Sequence, residues 1–126
     1  MKEKWWRDVR IVITGSRDWM DRRAVELALG ELRPCPLAHG GCRGADLIAG
    51  EVARALGYTV MEYAVDHVLD GPWPGAGPRR NGRMLREFRP TLVIAFPMAK
   101  SRGTWDCVRQ AERAGIRTIV VQPRAN

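Results

Sequence analysis

The chain has 126 residues, 45% hydrophobic and 28% charged, enough to bury one core, and no second block of composition suggests another domain. Its 21 Lys and Arg against 14 Asp and Glu leave a formal charge of +7, with a sequence pI near 10.2, which favours anionic partners (nucleic acid, free nucleotides, an acidic protein) or simply keeps a small protein in solution. No apolar run approaches a membrane span, the charged stretch Met1 to Arg10 lacks the apolar core of a signal peptide, and Cys35, Cys42 and Cys107 are odd in number with no C-x-x-C pair, fitting neither a disulfide framework nor a zinc site. A cytoplasmic chain without metal, cofactor or membrane partner is the expectation.

Residues 1–8 read as an N-terminal tail carrying the Trp5-Trp6 pair, and 1–126 as a single domain. Val9 to Thr14 reads as a buried strand, because Val9, Ile11, Val12 and Ile13 form a β-branched run broken only by Arg10. The loop Gly15 to Met20 follows. Asp21 is suited to cap a helix whose Val25, Ala28, Leu29 and Leu32 recur at i, i+3, i+4 and i+7, and Arg33-Pro34 ends it.

Leu37 to His39 is a short strand by position, leading into a glycine-rich turn. Ala45 to Leu56 is a helix with Ile48, Val52, Ala55 and Leu56 toward the sheet, and Gly57 is its stop. Tyr58 to Ala64 is the next strand. Val65 to Pro78, rich in Pro and Gly, is too long for a simple connection and reads as a functional loop. Arg79 to Phe88 is a helix with Met84, Leu85 and Phe88 on its apolar side, ended by Pro90. Leu92 to Phe96 is a buried strand, Pro97 to Arg102 a loop, Thr104 to Ala114 a helix capped by Gly115, and Thr118 to Gln122 a last strand.

Strands alternating with helices at this spacing imply right-handed crossovers and a parallel, three-layer α/β sandwich of the Rossmann-like kind, with about five strands in the order 3-2-1-4-5. The crevice of such a sheet opens at the carboxyl ends of strands one and four, where the order reverses. The turns at Gly15, Gly40 and Gly103 all fall on that rim.

Thr14-Gly15-Ser16-Arg17 combines a residue permitting close backbone approach, a hydroxyl and a guanidinium fork, although a tight turn with a solvated arginine has the same appearance. His39-Gly40-Gly41-Cys42-Arg43-Gly44-Ala45-Asp46 is more specific. Its glycines, set directly before a helix, make the kind of amide nest that holds phosphate, and no Lys-Ser/Thr follows to make it a Walker loop. Asp46 can accept hydrogen bonds from ribose hydroxyls or favour its own helix N-terminus, and both readings stand. His39 reads as a packed strand-end residue. Arg80 and Asn81 sit at a helix start, where dipole and guanidinium act on one anion, whereas Arg83, Arg86 and Arg89 read as a solvated face.

The ordered motifs I-T-G-S-R-D-W, H-G-G-C-R-G-A-D, G-A-G-P-R-R-N-G-R-M and A-F-P…R-G-T-W-D, spread from about Val9 to Val121, resemble the YspA/cpYpsA-related branch of the SLOG superfamily. That superfamily includes the Lonely Guy phosphoribohydrolases and the DprA/Smf DNA-processing proteins. The resemblance implies a Rossmann-like fold binding a small nucleotide-like ligand: a nucleoside monophosphate, an ADP-ribose-like molecule or a signalling nucleotide. By position, Gly15, Ser16, Arg17, Gly40, Gly41, Gly44, Ala45, Asp46, Arg80, Asn81, Gly103 and Thr104 would line the site. Asp66 matches an acidic position that this branch carries before an aromatic, and His67 stands in the aromatic's place.

Lonely Guy enzymes cleave the N-glycosidic bond of nucleoside monophosphates with an arginine at an R-K-x-x-M-like helix start and a glutamate three residues after the threonine of P-G-G-x-G-T. Arg80 with Met84 matches the first half. In the second half, Pro97 to Thr104 is longer and lacks the paired glycines, and Cys107 holds the glutamate position. Asp106 lies beside it, but a shift of one residue turns a side chain by about 100° around a helix. If the chain is an enzyme, Arg80, Asp106 and Asp66 are the candidate catalytic residues for this N-glycosidic hydrolysis, whose oxocarbenium-like transition state needs a carboxylate. The other alternative is DprA-like binding of single-stranded nucleic acid, motivated by the charge of +7. A homodimer is expected from the superfamily's tendency to pair and from apolar residues near Trp73.

Overall fold

A computed structural model describes residues 8–124. The Trp5-Trp6 pair and the expected tail, apart from Asp8, lie outside the described residues. Five parallel strands, β1 (Ile11–Gly15), β2 (Pro36–His39), β3 (Thr59–Glu62), β4 (Leu92–Phe96) and β5 (Arg117–Val120), form one sheet in the order β3-β2-β1-β4-β5. The expected Rossmann-like architecture and strand order are both present.

Pleating explains the β1 sequence. Ile11 and Ile13 point to one face, Val12 to the other, and all three are fully buried, so a continuous β-branched run is what a sheet covered on both sides requires. On the Ile11/Ile13 face, helices α1 (Arg22–Gly30) and α2 (Ala45–Ala55) supply Val25, Leu29, Ala49 and Val52 to the core. On the Val12 face, α4 (Ala76–Phe88) and α5 (Arg102–Arg113) supply Met84, Leu85, Phe88, Cys107 and Ala111. Trp19 packs edge-on against Phe96 at 5.3 Å and closes the first layer beneath the β1 loop. Asp21 caps α1 as the sequence suggests, accepting from the Ala24 N–H at 3.1 Å.

Three boundaries differ from expectation and bear on the site. The Pro/Gly-rich connection contains a short helix α3 (His67–Asp70) capped by Asp66, whose carboxylate accepts from the Val68 and Leu69 N–H groups. Helix α4 begins at Ala76, three residues early, since Gly77 and Pro78 fit a first helical turn where N–H groups lack intrahelical acceptors. Helix α5 begins at Arg102, two residues before the expected Thr104, so Gly103 and Thr104 both lie within its first turn.

The solvated face expected for Arg83 is also corrected. Its guanidinium forms a bidentate pair with the buried Asp70, Nε to Oδ1 and Nη2 to Oδ2 both at 2.9 Å, and a further bond to the Ala64 carbonyl ties the end of α3 and the segment before it to α4. That pairing holds the Asp70 carboxyl down to about 2. The spacing of 13 residues across a Pro/Gly-rich segment gives no periodic signal, which is why sequence reading missed it.

Candidate functional site

At the carboxyl ends of β1 and β4, where the strand order reverses, a cleft of about 530 Å³ opens between the β1 loop, the start of α2, the α3–α4 connection and the start of α5. Of the sequence-predicted residues, Gly15, Ser16, Arg17, Asp46, Arg80, Asn81, Gly103, Thr104 and Asp106 line it. Gly40, Gly41, Gly44 and Ala45 lie behind its wall, and Asp66 is committed to capping α3.

Close packing makes the β1 side. The Ser16 N–H donates to the Phe96 carbonyl at 2.9 Å, and the Ser16 carbonyl accepts from the Ala45 N–H at 3.1 Å, pinning the loop between β4 and α2. A Cβ on Gly15 would stand 2.3 Å from that of Ala45. Gly44 has φ +80 and ψ −129, and a Cβ there would stand 2.4 Å from the Ser16 carbonyl oxygen. The Ser16 hydroxyl accepts from the Asp18 N–H at 3.0 Å, which leaves its own proton available.

The cleft floor is polar and buried. Arg80 Nη1 donates to the carbonyls of Gly40 (2.7 Å) and Tyr63 (3.0 Å), and Nε donates to Asn81 Oδ1 at 3.1 Å. Gly40 is the residue that permits this approach, because a Cβ would fall 2.7 Å from the guanidinium carbon. Asp46 is 4% exposed; its Oδ2 accepts from the N–H groups of Gly40 at 2.9 Å and Cys42 at 3.4 Å, while Oδ1 has no partner. Burial pushes its carboxyl up to about 7, against the opposing pull of the Arg80 charge. His39 is packed in the strand end, as expected. Its Nδ1 accepts from the Gly41 N–H, Nε2 lies against α2 at Gly50, and burial lowers its pKa.

On the α5 side, Asp106 Oδ2 accepts from Asn81 Nδ2 at 3.0 Å and Gln110 Nε2 at 2.8 Å, and Asn81 also donates to the Gly103 carbonyl. Cys107 points into the core beneath the cleft, beside Thr14, fully buried, with its thiol pushed up to about 12 by burial. The carboxylate that α5 brings to the cleft wall therefore belongs to Asp106 although Cys107 holds the Lonely Guy glutamate position. N–H groups of Gly103 and Thr104, in the first turn of α5, have no intrahelical acceptors and carry the positive end of its dipole.

Sequence reading missed Trp73, Pro74, Lys100, Arg102 and Arg109 on the wall. Arg102, Asp106 and Arg109 recur at i, i+4 and i+7, a helical signal that was available once α5 was known to begin at Arg102. Arg17, Arg80, Lys100, Arg102 and Arg109 thus share the cleft lining with Asp18, Asp46 and Asp106. Cations exceed carboxylates even with all three ionised.

A second depression, of about 560 Å³, lies beyond Asp18 and is lined by Trp19, Met20, Met98 and the Asp21–Arg124 pair. Those two charges satisfy each other in a bidentate contact at 2.7 Å, so it offers no comparable excess of donors. Among the described residues, no cluster of His, Cys, Asp and Glu is arranged to hold a metal ion, and no helix is long and apolar enough to cross a membrane.

Parallel sheet, glycine-tight β1 corner and helix N-termini around a polar cleft define a Rossmann-like protein with its cleft at the reversal of strand order. A profile of the YspA, cpYpsA-related SLOG family matches residues 9–68, and the chain belongs to that family. It is 42% identical over 120 residues to the Gene 61 protein of Mycobacterium phage D29, an alignment covering 87% of this chain and 94% of that protein. Among solved structures it is similar to DNA processing protein A (DprA) from Streptococcus pneumoniae, with a TM-score of 0.71 and 18% identity over 97% of this chain. The chain spans about half, 53%, of the length of that DprA chain, and the likeness is one of fold.

Proposed function

We propose that the protein binds a nucleotide or nucleotide-derived ligand, of the nucleoside monophosphate, ADP-ribose-like or signalling-nucleotide class, in the cleft at the carboxyl edge of the sheet. The observation that carries this reading is the convergence of the α5 N-terminus, the Ser16-Arg17 corner and an excess of cationic side chains on one concave surface. Unpaired helix N–H groups and guanidinium forks match phosphate in geometry as well as charge. Family membership supports nucleotide-related or nucleic-acid-related binding in general, and the cleft's concavity favours a small ligand over a strand lying on the surface. Gly40, Gly41, Gly44 and Ala45 act behind the wall in this reading, by shaping the loop that presents Asp46 and receives Arg80.

Calorimetry with nucleoside monophosphates, ADP-ribose and cyclic dinucleotides tests it. Saturable heat, weakened about tenfold in Arg102→Ala, is expected; a silent panel rejects the reading. Steep loss of affinity with salt for single-stranded DNA, with no response to free nucleotides, would favour nucleic acid instead.

A second reading, N-glycosidic hydrolysis, is favoured by one observation: Asp106, held by Asn81 and Gln110 through Oδ2, presents a carboxylate on the cleft wall. Arg80 would anchor the substrate, and Asp106 would stabilise positive charge developing at the sugar. Asp66 has no part in it, since its carboxylate caps α3. Free base released from a nucleoside monophosphate, and absent with Asp106→Asn, is the outcome this reading requires. Self-association through the exposed Val68, Leu69 and Trp73 corner is also proposed, and light scattering reads it directly.

A further inference from the structure

The cleft floor holds two groups whose hydrogen-bonding capacity the protein itself leaves incomplete. Asp46 Oδ1 is shielded from solvent without a donor, although the residue is 4% exposed and forms part of the cleft wall. Arg80, also on the wall and 7% exposed, spends Nε and Nη1 on Asn81, Gly40 and Tyr63, and its Nη2 has no acceptor among the described residues. One residue holds both groups side by side: the Gly40 N–H donates to Asp46 Oδ2 at 2.9 Å and the Gly40 carbonyl accepts from Arg80 Nη1 at 2.7 Å. The carboxylate with a free acceptor therefore neighbours the guanidinium with an uncommitted Nη2, and the shielded Asp46 oxygen is the one costly to leave unpaired.

Ligand groups can be sorted by whether they match that pair. A phosphate oxygen accepts only, so it suits Arg80 and is repelled by an ionised Asp46. An exocyclic amine of a base is used as a donor only, so it suits Asp46 and offers nothing to Arg80. A hydroxyl does both, accepting from the guanidinium while donating its proton to the carboxylate. Phosphate already has better places, at the α5 N-terminus and the Ser16-Arg17 corner.

We propose that Asp46 and Arg80, clamped by Gly40, recognise a sugar hydroxyl of the bound ligand, so that the cleft selects ribonucleotides over their deoxy counterparts. This deepens the nucleotide-binding reading and rests on it. Gly40 and the loop that follows it then have a defined purpose. The absence of a Cβ at Gly40 lets the guanidinium approach, and the loop's N–H groups satisfy one carboxylate oxygen while the other is left without a donor.

Titration calorimetry of the full chain at about pH 8, where Asp46 is ionised and its free oxygen accepts, with AMP, GMP, CMP and UMP, each beside its 2′-deoxy and 3′-deoxy forms, tests the proposal. For the preferred base, losing one of the two hydroxyls is expected to weaken binding about tenfold to a hundredfold, the cost of an unmet buried polar group. Asp46→Asn keeps an oxygen for the Gly40 and Cys42 N–H groups but turns the free acceptor into a donor, so the folded variant is expected to bind ribo and deoxy forms alike. If the wild-type chain binds ribo and both deoxy forms within about twofold, the proposal is overturned while nucleotide binding stands. Undiminished discrimination in folded Asp46→Asn overturns it equally. Binding of no nucleotide at all overturns both readings. Should Asp46→Asn fail to fold by circular dichroism, the wild-type comparison alone decides.

Discussion

The wall formed by the β1 loop and the start of α2 is held backbone against backbone, whereas the opposite wall, from α4 and α5, is held by side chains. On the first, Gly15 and Gly44 stand where any Cβ would overlap Ala45 or the Ser16 and Arg17 carbonyls. On the second, Asn81, Asp106 and Gln110 share hydrogen bonds, and a Cβ at Gly103 would meet nothing within 4 Å. Glycine therefore means two different things in one cleft: a steric necessity on one side and open space on the other. Mutational sensitivity should divide along the same line, with stability lost on the β1 side and ligand chemistry altered on the α5 side.

The largest effect is expected from Gly44→Ala, which combines a left-handed backbone with overlap against fixed carbonyl oxygens. A loss of about 3 kcal/mol or more in denaturant unfolding should follow; a loss under about 1 kcal/mol would dissolve the contrast between the walls. Next comes Arg83→Met, which strands the buried Asp70 and should cost about 2 kcal/mol at neutral pH. Because Asp70 is held down to about 2, its stabilising contribution is present above the unfolded carboxyl value of about 4 and is lost as pH falls toward about 2. The acid limb of the stability curve should accordingly be shallower in Arg83→Met.

Asp46 titrates in the opposite sense. Its raised value means that the folded chain keeps a proton that the unfolded chain releases, so stability should fall as pH rises from about 4 to about 7. Asp46→Asn should flatten that fall in denaturant titrations across the window, and an unchanged slope would show that the carboxyl is not desolvated as described. The smallest effect is reserved for Gly103→Ala. In the unliganded chain it should raise stability by about 0.5 kcal/mol, since alanine is the better helix former and meets no neighbour. Lowered nucleotide affinity in the same variant would sharpen the comparison, because it places the ligand against the first turn of α5.

Much of the fold was legible because the signals were local. The Val9 to Thr14 run, the Asp21 cap and the glycine stops mark element ends by chemistry acting within a few residues. The site was legible to the extent that it sits on loops at fixed places in a parallel sheet: Ser16, Arg17, Asp46, Arg80, Asn81 and Thr104 all reach the cleft. Asp70 with Arg83, and the Asn81–Asp106–Gln110 network, were not legible. Each depends on a helix start hidden in a Pro/Gly-rich or polar stretch, where propensity is nearly silent about which residue begins the first turn.

Periodicity and turn chemistry in the amino-acid order alone determined a doubly covered parallel sheet and the rim on which its glycine-rich turns gather, since burial on two faces and φ > 0 are demands made residue by residue. Only the folded chain decided which polar atoms were spent and which were spare. Arg80 proved to be largely used in holding the Gly40 loop, Cys107 proved to be core and Asp106 wall, and Asp46 was left with an unmet oxygen. Those outcomes turn on a rotation of about 100° per helical residue and on contacts across 40 residues of chain, distances over which sequence pattern carries no geometric information.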